Sequence, residues 1–188
     1  MISVKELWLP ILLSAVFVFV ASSILHMVLQ IHNGDYKKLA GEDKIMETMR
    51  TEGVEPGMYM FPFAGSMKDM GTPEMIEKYN QGPVASLTVF PNGPIAMGAR
   101  LVQWFLYTVL IGLVVAYVAT LALSGGASFG TVFRLTCTVA ILAYAFSALP
   151  ESIWKGQDWG ATLRFVFDGV VYSLVTAGTF GWLWPKAS

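Results

Sequence analysis

Five ionisable residues border the apolar segments of this 188-residue sequence: His26, His32, Glu151, Arg164 and Asp168. Asp168 lies about 10 Å inside an apolar segment at 1.5 Å per residue, and Arg164 precedes it by one helical turn on the same face. Ionisable groups at such depth mark sites for ions, protons or small ligands, or form ion pairs that lock helices together. The sequence leaves both interpretations open for this polar cluster.

The two histidines are expected near a membrane surface. His26 falls at the far end of the first apolar segment, where the polar edge of a bilayer can solvate its ring. A hydrogen-bonding role between helices is therefore favoured over a role as a ligand. His26 and His32 are six residues apart, and this spacing does not align them on one face of a straight helix.

Methionines offer a second candidate chemistry. Eight of the ten lie between residues 46 and 97, and Met58, Met60, Met67 and Met70 have spacings at which thioethers could bind Cu(I). With the two histidines near the same interface, a copper or haem site is one interpretation. The other is packing, because a strand sends residues 58 and 60 to one face and methionine fills irregular gaps in cores.

The composition excludes several classes of protein. Apolar residues make up 55% of the chain and charged residues 13%, about half the density of charge expected for a soluble domain. A net charge of -1 provides no basic excess for a nucleic-acid partner. The single Cys137 cannot form an intramolecular disulfide or a two-thiol metal motif.

The apolar residues are concentrated in four segments of membrane-spanning length: 7–31, 101–123, 129–150 and 161–184. These runs are continuous, unlike the alternating strands of a barrel, so helices are predicted. The fold class is thus a membrane all-α bundle of four transmembrane helices with both termini on one side. Antiparallel neighbours would gather the polar cluster at the membrane face that carries the long insert.

The insert, residues 32–99, is predicted to be a small α+β unit. EDKIMETMR indicates a short amphipathic helix ending at Gly53, and TPEMIEKYNQG a second helix with Thr72 as N-cap. GMYMFPF and VASLTVF have the pattern of two strands. Nine of the twelve Lys and Arg residues fall on the side of the insert, which favours the cytoplasm. The insert is longer than the roughly 60 residues over which that rule holds and carries nine acids, so its side stays open.

Small residues recur at four-residue intervals in the fourth segment, at Gly169, Ser173, Ala177 and Gly181. Such a stripe lets another helix approach closely. The partner is a helix of the same chain by default, and a separate membrane subunit is the alternative.

Several stretches together resemble a family of uncharacterised bacterial inner-membrane proteins with four helices. They are MISVKELWLP with ASSILHMVLQIH, MYMFPF, KDM, GPVASLTV and DGVVYSLVTAGTFGWLWP. The resemblance covers most of the chain and implies a bacterial inner membrane. It supplies no activity and no catalytic residues, because the family has none assigned.

The function predicted first is that of a non-enzymatic accessory or scaffolding subunit of a membrane assembly. The exposed insert and the small-residue stripe motivate this prediction. The alternative is a module that binds or transports a metal ion or small solute at His26, Glu151 and Asp168. An enzyme ranks last because the sequence has no H-E-x-x-H, C-x-x-C, phosphate-binding loop or G-x-S-x-G motif.

Overall fold

A computed structural model describes residues 2–187, which form two compact units. The helical unit comprises the chain up to Tyr36 and the chain from Ala96 onward, and the inserted unit comprises Lys37–Ile95. Residues 32–36, which were predicted within the insert, therefore belong to the helical unit.

Four helical stretches are long and apolar enough to cross a membrane: Val4–Val28, Met97–Ala122, Phe129–Lys155 and Trp159–Trp182. This confirms the prediction of four such helices, one for each apolar segment. Their buried faces form a common core that includes Val18, Val115, Val132 and Phe180.

The first stretch is not a uniform α-helix. A 3-10 turn, Val4–Leu7, leads into α1 (Trp8–Ser23), and a π-helical turn follows at Ile24–Val28. In the π turn the amide of Leu29 donates to the carbonyl of Ile24 at 2.9 Å, five residues back. The helix ends at Val28, and Gln30, whose φ of 51° lies in the left-handed region, then turns the chain.

The inserted unit contains two helices and two strands. In chain order they are α2 (Glu42–Thr51), β1 (Gly57–Phe61), α3 (Pro73–Gln81) and β2 (Ala85–Val89). The strands pair antiparallel with Tyr59 opposite Leu87. Thr72 caps α3 by accepting a hydrogen bond from the amide of Met75 at 3.3 Å. The predicted small two-stranded sheet is thus present.

The third apolar segment is interrupted, whereas one continuous span over 129–150 was predicted. After α4 (Met97–Ala122) come α5 (Phe129–Tyr144), a 3-10 turn at Phe146–Ala148 and α6 (Leu149–Lys155). Pro150 is the physical reason. Its ring and missing N–H disrupt a helix interior but are tolerated in a first turn, so a new helix begins just before it.

The last helix, α7 (Trp159–Trp182), carries the small-residue stripe and packs it against α5. Gly169 lies directly on the backbone of Tyr144 and Ala145, and Gly181 lies on the ring of Phe129. Ser173 and Ala177 between them are fully buried. The stripe therefore faces a helix of its own chain.

Candidate metal centre

Three predicted site residues converge at one end of the helical unit. Oδ2 of Asp168 lies 3.0 Å from Nε2 of His26 and 2.8 Å from Nε2 of His32. Asp168 comes from α7, His26 from the π turn after α1, and His32 from the loop that follows. The donor atoms of the three residues all lie within 4.8 Å of one another, and we call this group the His–Asp centre.

Asp168 is the buried base of the centre. Its side chain is 2% exposed, whereas that of His26, at the rim, is 40% exposed. The second carboxylate oxygen, Oδ1, is buried and has no hydrogen-bond partner of good geometry within residues 2–187, although the carboxylate also interacts with the hydroxyl of Tyr172. Because an unsatisfied buried carboxylate oxygen carries a desolvation penalty, this atom favours a ligand that brings positive charge.

The two imidazole rings stack in parallel. Their centroids are 4.3 Å apart with an interplanar angle of 5°, and Phe165 covers the ring of His32 at 4.5 Å. The spacing of six residues was expected to separate the histidines. The π turn and the left-handed Gln30 bring His32 back over His26 instead. Rings in direct contact leave no room for a porphyrin between them, so a haem held by both histidines does not fit.

Asp35 is a member of the site that the sequence-based prediction missed. Its Oδ2 lies 2.6 Å from Nδ1 of His32, and its Oδ1 accepts a hydrogen bond from Nε of Arg164 at 2.6 Å. Arg164 thus joins the centre through Asp35 rather than through Asp168. The available signal was the spacing His-x-x-Asp directly after the first apolar segment.

The surroundings of Asp35 lower the pKa of its carboxyl group. Burial opposes ionisation, but the hydrogen bonds and charges of His32 and Arg164 outweigh it and hold the pKa below its ordinary value of 3.8. A lowered pKa stabilises the folded loop at every pH above that ordinary value. This contribution is lost as the pH falls from 3.8 through the lower pKa of the folded state.

We therefore expect the loop around Asp35 to stay closed from neutral pH down to about 4 and to open below it. The measurement is amide hydrogen exchange of residues 30–36, corrected for the intrinsic rate at each pH. Asp35→Asn should exchange faster than the parent protein at neutral pH and lose this pH dependence. Equal protection in the two proteins at neutral pH would contradict the expectation.

Contrary to the prediction, Glu151 does not join the centre. It lies in the first turn of α6 and accepts a hydrogen bond from Nζ of Lys155 at 2.8 Å, one turn later on the same helix. The break before Pro150 starts this separate short helix, which the expected continuous span did not include. Glu151 is therefore a useful control residue at the same end of the bundle.

The methionine candidates lie in the inserted unit. Met58 and Met60 share one face of β1, and Met67 and Met70 precede α3. All four side chains are exposed. The interpretation that these methionines pack in a core is therefore not confirmed.

The His–Asp centre combines two imidazole nitrogens and one carboxylate oxygen. Metal bonds of about 2.0–2.1 Å at angles between 90° and tetrahedral need ligand separations of about 2.9–3.4 Å. The observed nitrogen–oxygen distances of 2.8 and 3.0 Å are within a few tenths of an ångström of that range. Because an imidazole binds a metal in the plane of its ring, one of the two stacked rings must turn before both can bind the same ion. Nδ1 of His32 faces a carboxylate, as the outer nitrogen of a metal-bound histidine commonly does.

No protein family, curated protein or solved structure matches this chain. The chemistry of the His–Asp centre and the character of the surface around the helices are therefore the grounds for its function.

Proposed function

We propose that the chain crosses a bacterial inner membrane four times and binds a divalent first-row transition metal at one membrane face. The membrane location is supported by the outward surface of the helices. On α4 alone this surface exposes five leucines: Leu101, Leu106, Leu110, Leu113 and Leu121. A bundle surrounded by water would not leave such a continuous apolar surface uncovered.

Exposed tryptophans agree with this location. Trp8 and Trp182 are exposed at one end of the bundle, and Trp154 and Trp159 are exposed at the other. Tryptophan is enriched at both interfaces of a bilayer, where its ring meets the headgroups. An even number of spans then puts both termini on one side of the membrane.

The observation that carries the metal assignment is the convergence of His26, His32 and the buried Asp168 on one point. Asp35 and Arg164 neutralise each other, so the charge of Asp168 is left to be balanced by protons on the two histidines or by a metal cation that replaces those protons. Imidazole and carboxylate donors suit Zn²⁺, Fe²⁺ and neighbouring ions, whereas Cu(I) prefers thioethers and thiolates. The sequence-based alternative of a metal module is thereby narrowed to a nitrogen–oxygen site.

The interior beyond the centre favours binding over conduction. Several buried hydroxyls donate to carbonyls of their own helices, as Thr108 does to Phe105 at 2.7 Å and Ser173 to Gly169 at 2.6 Å, whereas Oγ1 of Thr176 has no such partner in the described part of the chain. The Ser22 hydroxyl also accepts a hydrogen bond from the Trp104 indole at 3.0 Å. Groups occupied in this way cannot readily replace the hydration shell of a passing ion.

Two observations motivated the accessory role that was predicted first, the small-residue stripe and the exposed insert, and the first of them no longer supports it. The small-residue stripe is occupied by α5 and gives no sign of a second subunit. The exposed inserted unit alone remains to motivate that role. A metal centre and an accessory role are compatible, but only the first has a defined site here.

The test is a titration of the full chain with Zn²⁺ and Co²⁺ after purification. The protein should sediment with membranes and require detergent for extraction. It should then bind one metal ion per chain, with visible Co²⁺ bands that indicate nitrogen and oxygen ligands. Glu151→Gln should bind equally well, because Glu151 lies outside the centre. A protein that takes up no stoichiometric Zn²⁺ or Co²⁺ would overturn the assignment.

A further inference from the structure

His32 is the one member of the His–Asp centre that no helix carries. It follows the left-handed Gln30, and its loop is held by short-range contacts. The Asn33 side chain donates to Oε1 of Gln30 at 3.0 Å, and the amide of Asp35 donates to the carbonyl of His32 at 3.0 Å. These contacts shape the turn but do not attach it to the helix that provides Asp168.

Asp35 attaches the loop to that helix, in addition to the contacts of the His32 ring itself with Asp168 and Phe165. Its carboxylate is 5% exposed and lies between two partners, with Oδ2 towards Nδ1 of His32 and Oδ1 towards the guanidinium of Arg164. Both Nε and a terminal nitrogen of Arg164 contact Oδ1. A loop carboxylate is seldom buried unless it is paired, and here both of its oxygens are used.

We propose that Asp35 and Arg164 are positioning residues that make His32 a metal ligand, an inference that rests on the proposed metal-binding function. By accepting the Nδ1 proton, Asp35 keeps that proton on the outer nitrogen of His32, so Nε2, which lies 2.8 Å from Asp168, is the nitrogen that can give up its proton to a metal. A carboxylate at the outer nitrogen also raises the basicity of the inner one, which strengthens its bond to a metal.

Arg164 fixes the position of Asp35 relative to Asp168. It precedes Asp168 by four residues on α7, so both side chains lie on the same face about 6 Å apart along the axis. One helix therefore provides a ligand directly and fixes a second ligand through the Arg164–Asp35–His32 chain. The separation between Asp168 and His32 is set by that helix rather than by the loop.

The competing explanation is that Asp35 and Arg164 only stabilise the loop. The positioning role and this fastening role predict different spectra of the bound metal. An asparagine at position 35 keeps the size of the side chain but can donate to Nδ1. Such donation selects the tautomer with the proton on Nε2, which blocks ligation by His32. A positioning role thus predicts the loss of one nitrogen ligand, whereas a fastening role predicts lower stability with the same ligand set.

The experiment uses the full chain in detergent. Competition titration measures the affinities for Co²⁺ and Zn²⁺, and electron paramagnetic resonance of bound Cu²⁺ counts the nitrogen ligands. Asp35→Asn should weaken Co²⁺ and Zn²⁺ binding about 10- to 100-fold and reduce the nitrogen count from two to one. Asp35→Glu should restore part of the affinity and the second nitrogen. Glu151→Gln is the matched control at the same end of the bundle.

Arg164→Lys provides a milder variant should Asp35→Asn fail to fold. Lysine keeps the positive charge but lacks the guanidinium fork. The metal affinity of Arg164→Lys should therefore also fall, by a smaller factor than that of Asp35→Asn. Wild-type affinity and two nitrogens in both Asp35→Asn and Arg164→Lys would overturn the positioning role, while metal binding by the parent chain would stand. A parent chain that binds no metal would overturn both proposals.

Discussion

Asp168→Asn is expected to lower the affinity for Zn²⁺ by more than about 100-fold, beyond the 10- to 100-fold typical of an outer-shell change. The substitution preserves the shape of the side chain and removes the anionic oxygen that lies closest to both histidines. A buried amide is a poor ligand for these ions and does not balance their charge. The measurement is the same competition titration, with the melting temperature of the metal-free protein determined in parallel.

The parallel melting measurement separates a binding centre from a structural ion pair. If the cluster serves only to lock the bundle, removing one charged partner should destabilise the protein by about 3–5 kcal/mol, since its histidine partners lose their counter-charge. A folded Asp168→Asn protein without metal supports the centre. Loss of folding in Asp168→Asn, together with absent metal uptake by the parent, would support the lock.

The second large effect is expected at Gly169, where α7 touches the backbone of α5. A Cβ there would overlap backbone atoms of Tyr144 and Ala145, and backbone cannot turn aside as a flexible side chain can. Gly169→Ala should therefore force the helices apart and cost about 3 kcal/mol of unfolding free energy, at the upper end of ordinary overpacking. Denaturant titration in mixed micelles measures this loss.

Gly178 on the same helix is the matched control. A Cβ there would meet nothing within 4 Å, since the residue borders an open apolar groove with Phe17 and Val20 of α1. Gly178→Ala should leave the stability unchanged or raise it by up to about 1 kcal/mol, because alanine is the better helix former and meets no neighbour there. Equal losses at Gly169 and Gly178 would contradict the close-contact explanation, because helix propensity favours alanine at both positions.

The long apolar helices could be predicted from sequence because their signal is local. An uncharged run of about 20 residues has few alternatives to a spanning helix. The strands around Tyr59 and Leu87 were predictable for a similar reason, since short β-forming runs bounded by Pro and Gly have a clear pattern. The third span was predicted to end at residue 150, whereas the structure starts a new helix at Leu149.

The site was harder to predict because it depends on departures from regular geometry. Charge and depth identified Asp168, and Arg164 was placed near it by helical spacing. The stacking of His26 on His32 requires the π turn and a non-glycine residue at positive φ, and neither has a reliable sequence signature. Asp35 was missed because its partner Arg164 is 129 residues away and only tertiary folding brings them together.

The His–Asp centre draws on both ends of the polypeptide: 136 residues separate His32 from Asp168. During synthesis the two histidines emerge early and have no counterpart until the final helix has been translated and has joined the others. Metal loading would thus be among the last events of biogenesis. A chain truncated before Asp168 could retain its first three membrane-spanning helices and would still lack the centre. Bound metal would therefore indicate that the protein is completely assembled.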